Sequence, residues 1–451
     1  MAGVIMAGLT DIAAFQTFLH RTQYDDLPED VQTFAQRCLL DLIGVAVGGT
    51  RTKLSRIIRD HAAAHFGAGE QGAPLWFDGR TVSLPGAALS NGMTIDSLDA
   101  HDGFKPAKGH VGCSVLPSLV ALASAGSMDG KAFLAHLVVG YEIGSRAAVA
   151  LHESVEDYHT SGAWGAVACA ALASRVLNFD AETTRHAMGI AEYHGPRSQM
   201  MRVIDHPTML KDGSGWGAMA GVSAALLAQS GFTGAPAITV EAAGQADVWS
   251  DLGERWTIKE QYFKPYPVCR WAQPAVAAAL ELKRLHGFDA SEIVGIEVTS
   301  FHEATRLACR EPANTEQAQY SLPFPLAAAL VHGTVGPAQI SDEGLTDRET
   351  LRLSNLVSFV ENADYNAAFP EQRYAHVHIN LQNGARLVSD RTAASGDPED
   401  PLSDTAIRQK FRDLAEPQLG RERAIRVETA VQDLASGQPI ESLLDLLSAP
   451  A

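Results

Sequence analysis

Leu84-Pro-Gly-Ala-Ala-Leu-Ser-Asn-Gly-Met-Thr-Ile-Asp-Ser-Leu98 is small and apolar almost throughout, the composition of a tightly packed, buried helix. Small residues let helices approach closely, so this stretch predicts a compact all-α body. The same Ala, Gly and Ser richness recurs around it. Val115 to Ala125 reads as helix, and so does Gly130 to Leu151 after the breaker Asp129-Gly130. Tyr158-His-Thr-Ser-Gly-Ala-Trp-Gly165 opens an Ala-rich helix through Val176. Thr183 to His194 follows as helix, then Met209 to Ser230 as a loop leading into another. Upstream, Leu27 to about Ala64 places Val31, Phe34, Cys38, Leu39, Leu42, Ile43 and Val45 at helical spacing, with Pro28 fitting a first turn and Gly48-Gly49 a stop.

The character changes after about residue 265. Ile293 to Phe301 alternates as a strand does. His376 to Leu381, a Gln382-Asn383-Gly384 turn and Arg386 to Asp390 form a strong hairpin signal. Apolar segments lie around Leu322–Val331 and Leu351–Val360. From Ser403 the chain is again amphipathic, with helices expected over Ala424–Leu434 and Ile440–Leu447. These patterns divide the chain into residues 1–265, the first part of a large all-α domain; 266–400, a smaller α+β domain; and 401–451, helices returning to the all-α domain.

At 451 residues the chain exceeds one ordinary core. Its net charge of −18 argues against nucleic-acid binding, which needs basic surface to displace counterions, but leaves room for a local basic pocket. Cys38, Cys113, Cys169, Cys269 and Cys309 show no metal spacing and suit a reducing compartment. The N-terminus lacks a basic region of signal-peptide type, and no uninterrupted apolar run reaches membrane-spanning length. A cytoplasmic protein without membrane contact is expected.

The C-terminal end of the opening stretch delivers Asp99, and Asp99 through His110 concentrates the chemistry: two carboxylates, two imidazoles (His101 and His110) and the ammonium groups of Lys105 and Lys108. A polar loop of solvated charges is the plain alternative. The clustering of perturbable groups, with glycines at 103, 109 and 112, favours a site. A metal held by Asp99, His101, Asp102 and His110 matches no standard spacing, and the lysines would compete with the cation, so no metal is expected. His159 precedes an apolar helix, where it could equally be a helix-terminal contact. Lys211 opens a Gly-rich turn into a helix, an arrangement able to hold an anion, although the P-loop order is absent. In Lys264-Pro-Tyr-Pro-Val-Cys-Arg270 two prolines stiffen a segment carrying two cations, suited to carboxylate binding or to a domain linker.

This set resembles the MmgE/PrpD family of 2-methylcitrate dehydratase, cis-aconitate decarboxylase and iminodisuccinate epimerase. The resemblance rests on Leu98-Asp99-x-x-Asp102 with His110 and then Ser114-Val-Leu-Pro117; Gly140-Tyr-Glu-Ile-Gly-Ser-Arg146; His159-Thr-Ser-Gly162; Met209-Leu-Lys211; Gly231-Phe-Thr-Gly234; the Lys264–Arg270 segment; and Ser321-Leu-Pro-Phe324. They run in family order over nearly the whole chain. The resemblance implies a homodimer of subunits with a large all-α domain and a smaller α+β lid, and a site between the two that uses neither metal nor organic cofactor. Carried over by position, the site residues are Asp99, His110, His159, Lys211 and Lys264. Departures are local. Asp99-Ala-His101-Asp102-Gly103 stands where relatives read Asp-x-Asp-Asp-Thr. Gly213-Ser-Gly-Trp216 replaces the usual Leu-His-x-Gly after the lysine, Gln273 replaces a histidine, and Phe324 stands where the decarboxylase carries a tyrosine. These count against cis-aconitate decarboxylase.

The shared chemical problem is a weakly acidic C–H beside a carboxylate, whose removal builds a second negative charge. Catalytic roles are expected for Asp99, His110, His159 and Lys211, with His110 and His159 as acid and base. Substrate binding is expected from Lys264, Arg270, His101 and Lys108. The expected activity is a hydro-lyase on a small di- or tricarboxylate. A dicarboxylate epimerase is the alternative and a decarboxylase is less favoured. A helical interaction protein would instead scatter His110, His159 and Lys211 through the fold.

Overall fold

The computed structural model describes residues 12–451 and is mostly helical, with a small mixed sheet. The helix Leu84–Asp96 starts where Ser83 Oγ accepts from the Gly86 N–H (3.3 Å) and Pro85 fills the first turn. Every other residue of it is buried. Its small residues permit backbone-to-backbone crossing: a Cβ on Gly215 would stand 2.3 Å from the Leu89 carbonyl oxygen. Gly215 belongs to the helix Ser214–Gln229, whose other side meets Ser161–Val176 just as closely, a Cβ on Gly217 falling 2.4 Å from the Gly162 oxygen.

The helix Gly130–Ser154 is long and apolar enough, by length and composition, to cross a membrane. Glu142 and Arg146 interrupt its run, and they pair at 2.5 Å. Buried over 89% of its apolar window, it is a core helix of the surrounding bundle. The segment Leu27–Ala64 is two helices, Glu29–Gly49 and Lys53–His65, because Thr52 leaves the helix to cap the second, accepting from the Ser55 N–H (3.0 Å). The tail forms two helices within Asp404–Asp433, separated by a break at Gly420 (φ 74°, ψ 155°), and then Glu441–Ser448. The Asp404–Asp433 segment packs against Glu29–Gly49, and Lys410 Nζ donates to Asp41 (2.6 Å) and to the Ala100 carbonyl (2.6 Å) beside the chemical loop.

The sheet is built on Ile293–Ser300, which pairs in parallel with Val357–Glu361 and antiparallel with Tyr374–Leu381. The latter strand also pairs with Arg386–Val388 across the Asn383-Gly384 turn and with Thr392–Ala393. Ala375, Val377, Ile379 and Leu381 point inward at period two, and the helix Gln273–His286 packs on them. Apolar Leu351–Val360 splits into the helix Arg348–Asn355 and the strand Val357–Glu361. A two-residue ladder, Gly103–Phe104 against Gln261–Tyr262, ties the chemical loop to the segment carrying Lys264.

Candidate active site

That ladder brings together groups far apart in the chain. Lys264 Nζ donates to Asp99 Oδ1 (2.7 Å) and to the Asp99 carbonyl (3.2 Å), with both side chains almost wholly buried. Burial opposes ionisation of Asp99, yet Lys264 and then Lys211 outweigh it and hold the carboxyl well below the usual range. Burial likewise works against the Lys264 charge, and the Asp99 carboxylate overcomes it, so the lysine sits above its ordinary value.

His110 Nδ1 lies 2.5 Å from the Asp102 carbonyl oxygen. A carbonyl only accepts, so Nδ1 carries the proton and Nε2 keeps its lone pair, 3.9 Å from Asp212 Oδ2. Burial, then His101 and Lys264, push His110 down to about 3, which leaves a neutral imidazole at neutral pH. The His101 ring stands edge-on at 4.2 Å, completely buried, and burial with Lys264 lowers it to about 3 as well. Its Nε2 is 3.4 Å from Asp96 Oδ1, within ion-pair distance but outside hydrogen-bonding geometry, so both atoms lack a partner. A neutral imidazole makes no ion pair there. Burial raises Asp96 to about 6 and Asp102 to about 7, the latter accepting from the Tyr141 hydroxyl at 2.5 Å.

Lys211 adopts a left-handed conformation (φ 51°) that turns its chain into the cluster. Its Nζ donates to Gln319 Oε1 (2.6 Å) and lies 4.6 Å from the centre of the Tyr320 ring. Gln319 in turn donates to the Ser97 carbonyl (3.0 Å). Asp212, next in the chain, accepts from Ser161 Oγ (3.2 Å) and the Tyr320 hydroxyl (3.3 Å), and burial raises it. The His110 N–H donates to the same Ser161 Oγ (3.0 Å). Asp212, Gln319, Tyr320 and Tyr262 escaped the sequence reading. For Asp212 alone a signal existed, its place beside Lys211.

The remaining expected residues lie around this cluster. His159 is buried, with Nδ1 2.7 Å from the Asp157 carbonyl and its backbone N–H donating to His152. These bonds do not enter the cluster, although Thr160 and Ser161 lead from it directly. Lys108 is partly exposed over the Tyr158 ring (5.0 Å), and burial lowers it. Arg270 is buried, with both terminal nitrogens engaged. It donates to Asp397 Oδ1 (2.6 Å), Gln273 (2.8 Å) and the Ala394 and Ser395 carbonyls (3.0 Å each). Asp99, His110 and Asp212 offer ligand atoms within 4.8 Å of one another, a group a cation could bridge. Lys264 already compensates Asp99 and Lys211 adds a second ammonium, so the local charge opposes a metal. A cavity of about 250 Å³ walled by Thr160, Arg202, Trp216 and Lys211 reaches the cluster. Three larger cavities, about 890, 690 and 480 Å³, contain none of the cluster's side chains.

The chain belongs to the MmgE/PrpD family: the family model of the N-terminal domain matches residues 13–256 and that of the C-terminal domain residues 266–435. It is similar to the cis-aconitate decarboxylases of mouse (24% identical, over 97% of this chain and 93% of that one) and of human (23%, 97% and 94%). It is also similar to that of Aspergillus terreus (24%, 94% and 93%).

Proposed function

We propose that this protein is a lyase that removes a proton from carbon beside a carboxylate of a small di- or tricarboxylate and expels water, with no metal or organic cofactor. The observation carrying this reading is a neutral His110, with its Nε2 lone pair free, next to the two buried ammonium groups of Lys211 and Lys264. Removing the α-proton moves charge onto an already anionic carboxylate. Buried cations stabilise that charge more strongly than water-exposed ones, and they need no reorganisation during the step. The incoming carboxylate also raises the proton affinity of His110, turning a weakly basic imidazole into a competent base. His110 Nε2 takes the C–H proton. The electron pair left on carbon forms the double bond as hydroxide leaves, protonated by His159 or Asp212 to give water.

The named relatives support a second reading. Loss of CO₂ from a cis-aconitate-like acid leaves the same kind of carbanion, which a protonated His110 would quench. An epimerase would need a base on each face of the carbon. On the same reading residues 266–400 act as a lid over the helical body, and the molecule works as a cytoplasmic homodimer.

Incubation with a panel of di- and tricarboxylates in D₂O tests these activities. A new unsaturated acid supports the hydro-lyase. Released CO₂ supports the decarboxylase, and deuterium beside a carboxylate without loss of water supports the epimerase. Absence of exchange and turnover with every acid would overturn the proposal.

A further inference from the structure

We infer that Arg373 binds the substrate carboxylate farthest from the reacting carbon, and so sets the enzyme's preference for a polycarboxylate. The inference rests on the polycarboxylate chemistry proposed above. Arg373 immediately precedes the strand Tyr374–Leu381 and is only 4% exposed. Its Nε and Nη1 are buried with no hydrogen-bond partner, and among the described residues no carboxylate lies within ion-pair distance of it. The guanidinium therefore has no direct counter-ion.

A neighbouring arginine makes the contrast. Arg270 lies over the same Tyr262 ring (4.8 Å from its centre, against 5.5 Å for Arg373), equally buried, with its terminal nitrogens donating to Asp397, Gln273 and two carbonyls. The fold supplies four acceptors for one guanidinium's terminal nitrogens and none for the other's Nε and Nη1. The face of Tyr262 returns only part of the cost of burying a charge. Tyr262 also packs edge-to-face against His110 (6.3 Å) and lies two residues before Lys264, so the unpaired guanidinium adjoins the proposed site. Lys108, on the Tyr158 ring, feels the Arg373 charge. Glu303 and Glu371, the acids that also act on Lys108, form no ion pair with Arg373. Arg373 with Lys108 therefore makes a second cationic pole, separate from Lys211 and Lys264. A guanidinium fork matches a carboxylate in shape and charge. Arg270, expected from sequence to bind substrate, gives way to Arg373 in this assignment.

The test compares wild type with Arg373→Met and Arg373→Lys, using cis-aconitate and citraconate, which lacks one of its carboxylates. Without ligand, Arg373→Met should melt no lower than wild type, because it removes a buried charge that has no partner. Cis-aconitate should stabilise the wild type more than citraconate does. In Arg373→Met that difference should vanish and the dissociation constant for cis-aconitate should rise about 10- to 100-fold, the loss of a charge-assisted contact. Arg373→Lys should fall between the two. A markedly lower melting temperature of unliganded Arg373→Met would assign the residue a structural role and overturn the inference. Unchanged cis-aconitate affinity in that variant, with wild type binding it, would also overturn the inference while leaving the proposed function standing. Failure of wild type to bind or turn over any polycarboxylate would instead remove the proposed function, and the inference with it.

Discussion

Replacing Lys264 by Met strips the counter-charge from Asp99 while keeping most of the side-chain volume. With Lys264 1% exposed and Asp99 2%, neither solvent nor salt screens the pair. Breaking a buried pair from one side costs about 3–5 kcal/mol, because the remaining charge is stranded, and Lys211 recovers only part of this. Lys264→Met should therefore lower the stability measured by urea unfolding at pH 7.5 by about 3 kcal/mol or more. Lys264→Met combined with Asp99→Asn removes the stranded charge and should restore much of the loss, for a coupling of about 2 kcal/mol or more across the double-mutant cycle. The sign with pH is fixed. In wild type the folded value of Asp99 lies below its unfolded one, so its contribution is present above the unfolded range and disappears only as pH falls through the depressed value. Without Lys264, burial dominates and the carboxyl accepts a proton at a higher pH. The penalty of the single variant relative to wild type should then shrink between pH 7.5 and 5.5. A coupling near zero, or a penalty indifferent to acidification, would refute the picture of a buried pair held by mutual compensation.

His101 and His110 are buried and His136 is half-buried, and all three are lowered to about 3, so the unfolded chain binds more protons than the folded one between about 3 and 6.5, and each histidine withdraws stability as pH falls through that window. Asp96 and Asp102, raised to about 6 and 7, act in the opposite sense. His136→Gln, distant from the cluster, should reduce the slope of stability against pH near pH 5 by about 1.4 kcal/mol per unit, measured by urea titrations at several pH values. Gly215→Ala drives a methyl to 2.3 Å from the Leu89 oxygen, where only backbone can yield, and should cost about 1–3 kcal/mol in the same assay. His110→Gln should lower kcat about 10²- to 10⁴-fold once a substrate is found. His159→Gln should show a comparable loss if that ring serves as the partner acid, whereas near-normal turnover would remove it from the role.

The helices and the hairpin were legible because their signals are local. Ser83 and Pro85 mark a helix start, Asn383-Gly384 a turn, and the small residues of 84–98 a crowded interior. The site was half legible. Asp99, His110, Lys211 and Lys264 stand out in sequence and meet in space, whereas Gln319 and Tyr320 lie about a hundred positions from Lys211 in unremarkable surroundings. Arg373 reads as an ordinary surface arginine, since most arginines are exposed.

Sequence alone determined which segments are helix or strand, where small residues demand close packing, and which loop carries the ionisable groups, because each depends on residues within a turn or two of one another. Tertiary structure decided that Asp99 pairs with Lys264 across 165 positions, that His110 stays neutral with its proton on Nδ1, and that Arg270 is satisfied while Arg373 is not. A proton's affinity and a charge's cost depend on the water and counter-charges around a group once the chain has closed over it, and those neighbours come from everywhere in the sequence.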